Sequence, residues 1–174
     1  MKNKPKIIVI TGAESTGKST LTKELADHFH VPYIPEIARD YVEKLDRKYN
    51  FKDVINIAKS QIEALNKLKD CDYRFIFVDT WLIITKIWFE KVFGKIPDWL
   101  NKEINQTEIE LFLVCDIDLP WVYDPVRENG GEQRKILHNN YITDLNEFNF
   151  NYRIISGENK DRFQNALQYL KLLE

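Results

Sequence analysis

Five short runs of apolar residues are spaced along the chain, each followed by a stretch with the helical repeat of three and four. Ile7–Ile10 is apolar at every position, as in a strand buried on both faces. Leu21, Leu25, Ala26 and Phe29 then recur on one helical stripe. Val31–Glu36 reads as a short second strand, and Pro32 and Pro35 place it at a sheet edge. The stretch opening at Glu36 is predicted to be helical, with Ile37, Tyr41 and Val42 as its buried positions. Asp53 is placed to cap a longer helix whose stripe is Val54, Ile57, Ala58, Ile62 and Leu65. Arg74–Thr80 is the third strand, and Leu82–Phe93 is a helix that Gly94 terminates. A short helix is predicted from Pro97 to about Ile104, and the fourth strand is Leu111–Asp116. Residues 118–134 are too polar for a core and too long for a tight turn. Glu132–Phe148 is helical at its start, and Tyr152–Gly157 is the fifth strand. A last helix from about Asp161 carries Phe163, Ala166, Leu167, Leu170 and Leu173.

Strands alternating five times with helices imply a parallel sheet joined by right-handed crossovers. Ligands of such sheets sit beyond the carboxyl ends of the strands. That rule gathers residues 12–20, Glu36, Asp79–Thr80, Asp116–Asp118 and Ser156–Gly157 at one edge.

The first strand runs directly into Gly12-Ala13-Glu14-Ser15-Thr16-Gly17-Lys18-Ser19-Thr20, a glycine, four residues, then Gly-Lys-Ser. This is the phosphate-loop pattern in the strand–loop–helix context it requires. The glycines let successive N–H groups turn inward on an anion, and the helix start adds partial positive charge. Lys18 would reach the β- and γ-phosphates, and the Ser19 hydroxyl would ligate Mg²⁺. A nucleoside triphosphate, ATP with Mg²⁺, is the expected ligand.

Asp79 closes an apolar strand where such proteins need a carboxylate near the metal or its water. Glu36 ends the second strand at the same edge. It could accept a proton from an attacking hydroxyl, with Asp79 the rival for that role, or could simply open a helix or pair with Arg39. Arg39 could reach a substrate hydroxyl or phosphate, or pair with an acid. Arg127 and Arg134 flank the Gly130–Gly131 hinge of a lid at about residues 121–135. There they could clamp a transferring phosphoryl group or remain solvated. Trp81 and Trp121 are the tryptophans nearest this edge and could stack on a base or belong to the core. His28, His30 and His138 have no metal-binding or nucleophilic spacing.

Composition narrows the partners. The 174 residues form one domain by length, and a net charge of −2 argues against nucleic acid, which needs a basic surface. No run approaches a membrane span, the start does not read as a signal peptide, and Cys71 and Cys115 read as reduced thiols. A cytoplasmic enzyme is expected, with an open oligomeric state and a functional link to a vitamin or nucleoside transporter left open as a partner.

Residues 12–20, Pro35-Glu36-Ile37-Ala38-Arg39-Asp40-Tyr41-Val42, Phe77-Val78-Asp79-Thr80 and Asp116-Ile117-Asp118-Leu119-Pro120-Trp121 together resemble the NadR-type ribosylnicotinamide kinase domain. The likeness runs in order through Arg127 and Arg134. It implies an α/β, three-layer P-loop NTPase fold with a five-stranded parallel sheet, nucleoside-monophosphate-kinase-like with a lid. It also implies transfer of a phosphoryl group from MgATP to the 5′-hydroxyl of nicotinamide riboside. The chain departs from the family's Trp-x-Asp-Asp-Gly-x-Arg lid opening by placing Tyr123 and Pro125 there, and it carries no His-x-Gly-His nucleotidyltransferase signature. Without the resemblance, the acceptor could be another nucleoside or a vitamin alcohol such as thiamine. A regulatory or transport-associated ATP switch is the reading from a different class.

Overall fold

The computed structural model describes residues 4–125, 127 and 129–173; Met1–Asn3, Glu174, and Val126 and Glu128 within the expected lid lie outside the described residues. Five strands form one sheet: β1 (Lys6–Thr11), β2 (Tyr33–Ile34), β3 (Phe75–Asp79), β4 (Leu111–Cys115) and β5 (Tyr152–Ile155). Their order is β2-β3-β1-β4-β5, and every pairing is parallel. Seven α-helices lie among the described residues: α1 (Lys18–Phe29), α2 (Ile37–Glu43), α3 (Phe51–Leu68), α4 (Leu82–Trp88), α5 (Asp98–Gln106), α6 (Glu132–Glu147) and α7 (Asn159–Lys171). The helix expected over 82–93 is α only to Trp88 and continues as a π-helical turn, Phe89–Phe93, before Gly94 stops it with φ 63°.

Alternation along the central strands sorts the core into two layers. Ile7, Val9, Ile76, Val78, Phe112 and Val114 face one side, with Val54 and Ala58 of α3, Leu82 of α4, Leu100 of α5 and Leu137 of α6. Ile8, Ile10, Phe75, Phe77, Leu113 and Cys115 face the other, against Leu21 and Leu25 of α1 and Ala166 and Leu170 of α7. Because β1, β3 and β4 are covered on both faces, they are apolar at nearly every position, which makes them legible as strands. Helices on both sides of a parallel sheet make the three layers, and the arrangement is the P-loop NTPase fold.

Two local expectations are corrected. The cap of α3 is Asn50, whose side chain accepts from the Lys52 and Asp53 N–H groups, while Asp53 reaches back to the Asn50 N–H. Asp53 is thus the third residue of a capping box rather than the cap. Its carboxylate is held well below the ordinary range, first by the hydrogen bond from Arg47. In α2 no residue is fully buried; Ile37, Tyr41 and Val42 are half-buried in this two-turn helix, which packs on α3.

Candidate functional site

The site grows from the end of β1. Thr11 is the last strand residue, and the chain then turns through Gly12 at φ 138°, Ser15 at φ 56° and Gly17 at φ 74° before α1 begins at Lys18. Gly12 is required by space as well as by angle. A Cβ there would stand 2.7 Å from the Cys115 carbonyl oxygen, where β1 and β4 end side by side. Thr16 Oγ1 and Lys18 Nζ both donate to the Ala13 carbonyl at 2.8 Å, which holds the loop closed and the ammonium across it. The result is a ring of backbone amides at a helix N-terminus, an arrangement that binds phosphate.

Asp79 ends β3 beside it, paired in register with Ile10. The next residue, Thr80, has φ 64° and donates its N–H to the Ile10 carbonyl at 2.9 Å, which turns the chain away from the sheet. Asp79 is buried, and burial pushes its pKa up to about 6, although the Ser19 hydroxyl and the Lys18 ammonium pull it down. Its Oδ1 is buried without a hydrogen-bond partner. A buried carboxylate oxygen left unpaired next to a hydroxyl fits a cation or its water. Ser19 and Asp79 are the groups that could hold Mg²⁺, which keeps most of its waters and needs few protein ligands.

Ser19, Lys23, Glu36, Arg39, Asp40 and Asp79 line one cavity of about 380 Å³ at this edge. Glu36 sits there at the start of α2, and Arg39 is 4.0 Å from it. Arg39 is committed elsewhere: its guanidinium donates to Asp124 and Glu43, each at 2.9 Å. The Asp124 bond leads in raising its pKa. Of the two readings the sequence left open for Arg39, the structure shows the acid pair. A larger cavity, about 720 Å³, opens at the opposite end of the sheet near Lys6, Ile62 and Gln106, away from every phosphate-loop group.

The connection from β4 to α6 crosses the loop and is stitched to it. Arg134 Nε and Nη2 donate to the Glu14 and Ser15 carbonyls at 2.9 Å, and Nη1 donates to the Leu119 carbonyl at 2.7 Å. The Val122 N–H donates to Ser15 Oγ at 3.1 Å. The Glu14 carboxylate accepts from the Asn129 N–H at 3.0 Å, from Asn129 Nδ2 at 2.8 Å and from Trp121 Nε1 at 3.5 Å. Arg127 Nη1 donates to the Val122 carbonyl at 2.7 Å and is half-exposed.

Two expected roles are corrected. Trp81 is 1% exposed and packs in the core layer with α3 and α4, so no ring face is offered to a base. Its position two residues after Asp79 says nothing about direction: it is the N-cap of α4, and its side chain turns inward. Arg134 is buried, with three nitrogens taken by backbone carbonyls, so it braces the phosphate loop rather than swinging as a clamp. Trp121 is half-exposed, lying against Gly130 and near Tyr123.

The sequence assigned no role to Asp118 or Arg162. Arg162, buried in α7, donates to the carbonyls of Gly157 (2.8 Å) and Ile155 (3.1 Å) and to the Asp118 carboxylate. Asp118 in turn accepts from the Gly157 N–H at 2.6 Å. This pair shapes the β5–α7 turn beside the phosphate loop. The repeated acid in Asp116-x-Asp118 was the available signal; Arg162 reads as one more charge on a helix.

The fold and the loop define a class, and comparison with known proteins agrees. An AAA domain family model matches residues 7–162, and the chain belongs to that family. It is 27% identical over 94% of its length to the trifunctional NAD biosynthesis/regulator protein NadR of Salmonella typhimurium, and 26% identical to that of Escherichia coli. The chain spans 42% of the length of these curated relatives. It also superposes on a NadR protein solved in complex with NR, with a TM-score of 0.79 and 21% identity over 97% of this chain and 49% of that one. Thymidylate kinase from Ehrlichia chaffeensis shares the fold at a TM-score of 0.66 and 14% identity, over 99% of this chain and all of that one. The likeness to NadR read from the motifs is thus met in both sequence and fold.

Proposed function

We propose that the chain is an ATP-dependent small-molecule kinase that phosphorylates the 5′-hydroxyl of nicotinamide riboside, giving nicotinamide mononucleotide. One observation carries the kinase reading: Glu36 and Asp79 line the same cavity as Ser19 of the phosphate loop. A site that only binds or slowly hydrolyses a triphosphate needs no second carboxylate at that position. The choice of acceptor rests on the likeness to the NadR proteins, one of them solved with NR.

In this reading the amides of Gly12–Thr20 and the Lys18 ammonium hold the triphosphate, and Ser19 and Asp79 hold its Mg²⁺. The metal neutralises charge on the transferring group when bound. Glu36 receives the proton of the acceptor hydroxyl. The reading gives Asp79 to the metal and Glu36 to the acceptor, supported by the pull of Ser19 and Lys18 on the Asp79 carboxyl. The connection of about residues 121–135 is the lid, with Arg127 its half-exposed cation. Residues 1–174 act as a single kinase domain residing in the cytoplasm. No helix among the described residues is long and apolar enough to cross a membrane. Phosphoryl transfer asks mainly for positioning and charge stabilisation, which these groups supply.

The test is ADP release from MgATP across a panel of nucleosides and vitamin alcohols, thiamine included. Nicotinamide riboside should accelerate release most, and acceleration by no acceptor would sink the kinase reading. Glu36→Gln should keep ATP affinity and lose roughly 10²–10⁴ in rate; an unchanged rate removes Glu36 from the reaction.

A further inference from the structure

The phosphate loop carries an acid, Glu14, where a negative charge works against a bound triphosphate. Amides turned inward on an anion send side chains outward, and that of Glu14 goes to the residues 121–130. Both carboxylate oxygens are engaged by Asn129, one by its N–H and one by its Nδ2, and Trp121 Nε1 adds a third donor. Asn129 is engaged on its other side as well, its Oδ1 accepting from Lys91 of the π-helical turn. A single amide thus ties the phosphate loop, the crossing segment and the end of α4 together. Trp121 holds its place because Gly130 has no side chain: a Cβ there would meet the indole at 3.3 Å.

The two ends of the crossing segment are fastened differently. Arg134 grips the Leu119 end through carbonyls and is buried. Glu14 is only half-buried, and its side chain reaches the Asn129 end from the phosphate loop, with Lys91 on the other side of Asn129. Losing the Glu14 carboxylate removes the acceptor that Trp121 and Asn129 share and leaves the core untouched.

We propose that Glu14 is a positioning residue, a latch whose carboxylate holds Trp121 and Asn129 down on the phosphate loop and so sets how fast a bound nucleoside triphosphate leaves. It touches no phosphate itself. The proposal rests on the reading that a triphosphate occupies the loop, and it is independent of the acceptor.

Release of a fluorescent ATP analogue with Mg²⁺, followed by stopped flow, tests it. Glu14→Ala and Asn129→Ala should each speed release roughly ten- to hundredfold, the loss of hydrogen bonds to a charged group. The double variant should be no faster than Glu14→Ala alone, since that change already removes the side-chain contact that Asn129→Ala deletes. Asn129→Asp sets two carboxylates face to face and should also release fast. Adding Glu14→Gln to Asn129→Asp restores a donor–acceptor pair in the reverse sense and should slow release again, a rescue that general loosening would not give. Unchanged release in the single variants, additive effects in the double one, or no rescue overturns the latch. Failure of the unaltered protein to bind the analogue overturns instead the triphosphate reading.

Discussion

Replacing Asp79 with Asn should make the nucleotide-free protein more stable at neutral pH while removing a group the site needs. Asp79 is buried, and burial raises its pKa from an ordinary 3.8 to about 6. A shift of about two units corresponds to about 3 kcal/mol between the protonation states. The sign follows from proton counts. Between pH 3.8 and 6 the folded chain keeps a proton that the unfolded chain has released, so stability falls as pH rises through that window. Below it the carboxyl is neutral in both states and costs nothing; above it the full penalty applies. Asn has nearly the same shape and does not titrate. The stability difference between Asp79→Asn and the unaltered protein should therefore be small at pH 4 and grow to about 3 kcal/mol in the variant's favour by pH 7.5. For a chain of this size that is a rise in Tm of roughly 6–12 °C. Asp53 moves oppositely, since its depressed pKa gives stability that is lost as pH falls. It is common to both proteins and cancels in the difference. Urea unfolding at several pH values without nucleotide measures the effect. A pH-independent difference, or a variant less stable at pH 7.5, would refute the reasoning. The same variant should lose the stabilisation that MgATP gives, because it removes the group proposed to hold the metal.

Other consequences concern packing. Lys86 of α4 and Asp144 of α6 form a buried pair at 2.8 Å, with Glu90 also on the ammonium at 3.0 Å. Lys86→Met strands the Asp144 carboxylate and should cost about 3–5 kcal/mol in urea unfolding, while Lys86→Met with Asp144→Leu should recover most of it. Gly12→Ala drives a methyl against the Cys115 carbonyl at a positive φ. It should cost roughly 1–3 kcal/mol from overpacking, with backbone strain added, and abolish nucleotide-induced thermal stabilisation.

Legibility in the sequence followed burial. β1, β3 and β4 are apolar at nearly every position because helices cover both faces, and the phosphate loop is written in contiguous residues. Glu36 and Asp79 were readable because strand ends in a parallel sheet share one edge. What escaped depended on side-chain direction or on partners distant in sequence. Trp81 adjoins the site in sequence, yet it points into the core. Arg134 and Glu14 were visible as residues, but apart from the Leu119 carbonyl the partners named above lie more than a hundred positions away, and no periodicity encodes those meetings. Arg162 was lost because its value lies in the turn it holds, Ile155–Gly157, and in Asp118, which helical spacing does not announce. In α2, apolar spacing suggests burial, but the short helix packs on α3 and only half-buries that face.

The central claim is that this edge transfers a phosphoryl group from ATP to nicotinamide riboside, and mass spectrometry of the products tests it most directly. With MgATP and nicotinamide riboside, the account predicts nicotinamide mononucleotide, phosphorylated at the 5′ position, in amounts equal to the ADP formed. Glu36→Gln should greatly reduce both together. ADP accumulating without phosphorylated nucleoside, at the same rate with and without the acceptor, would contradict it.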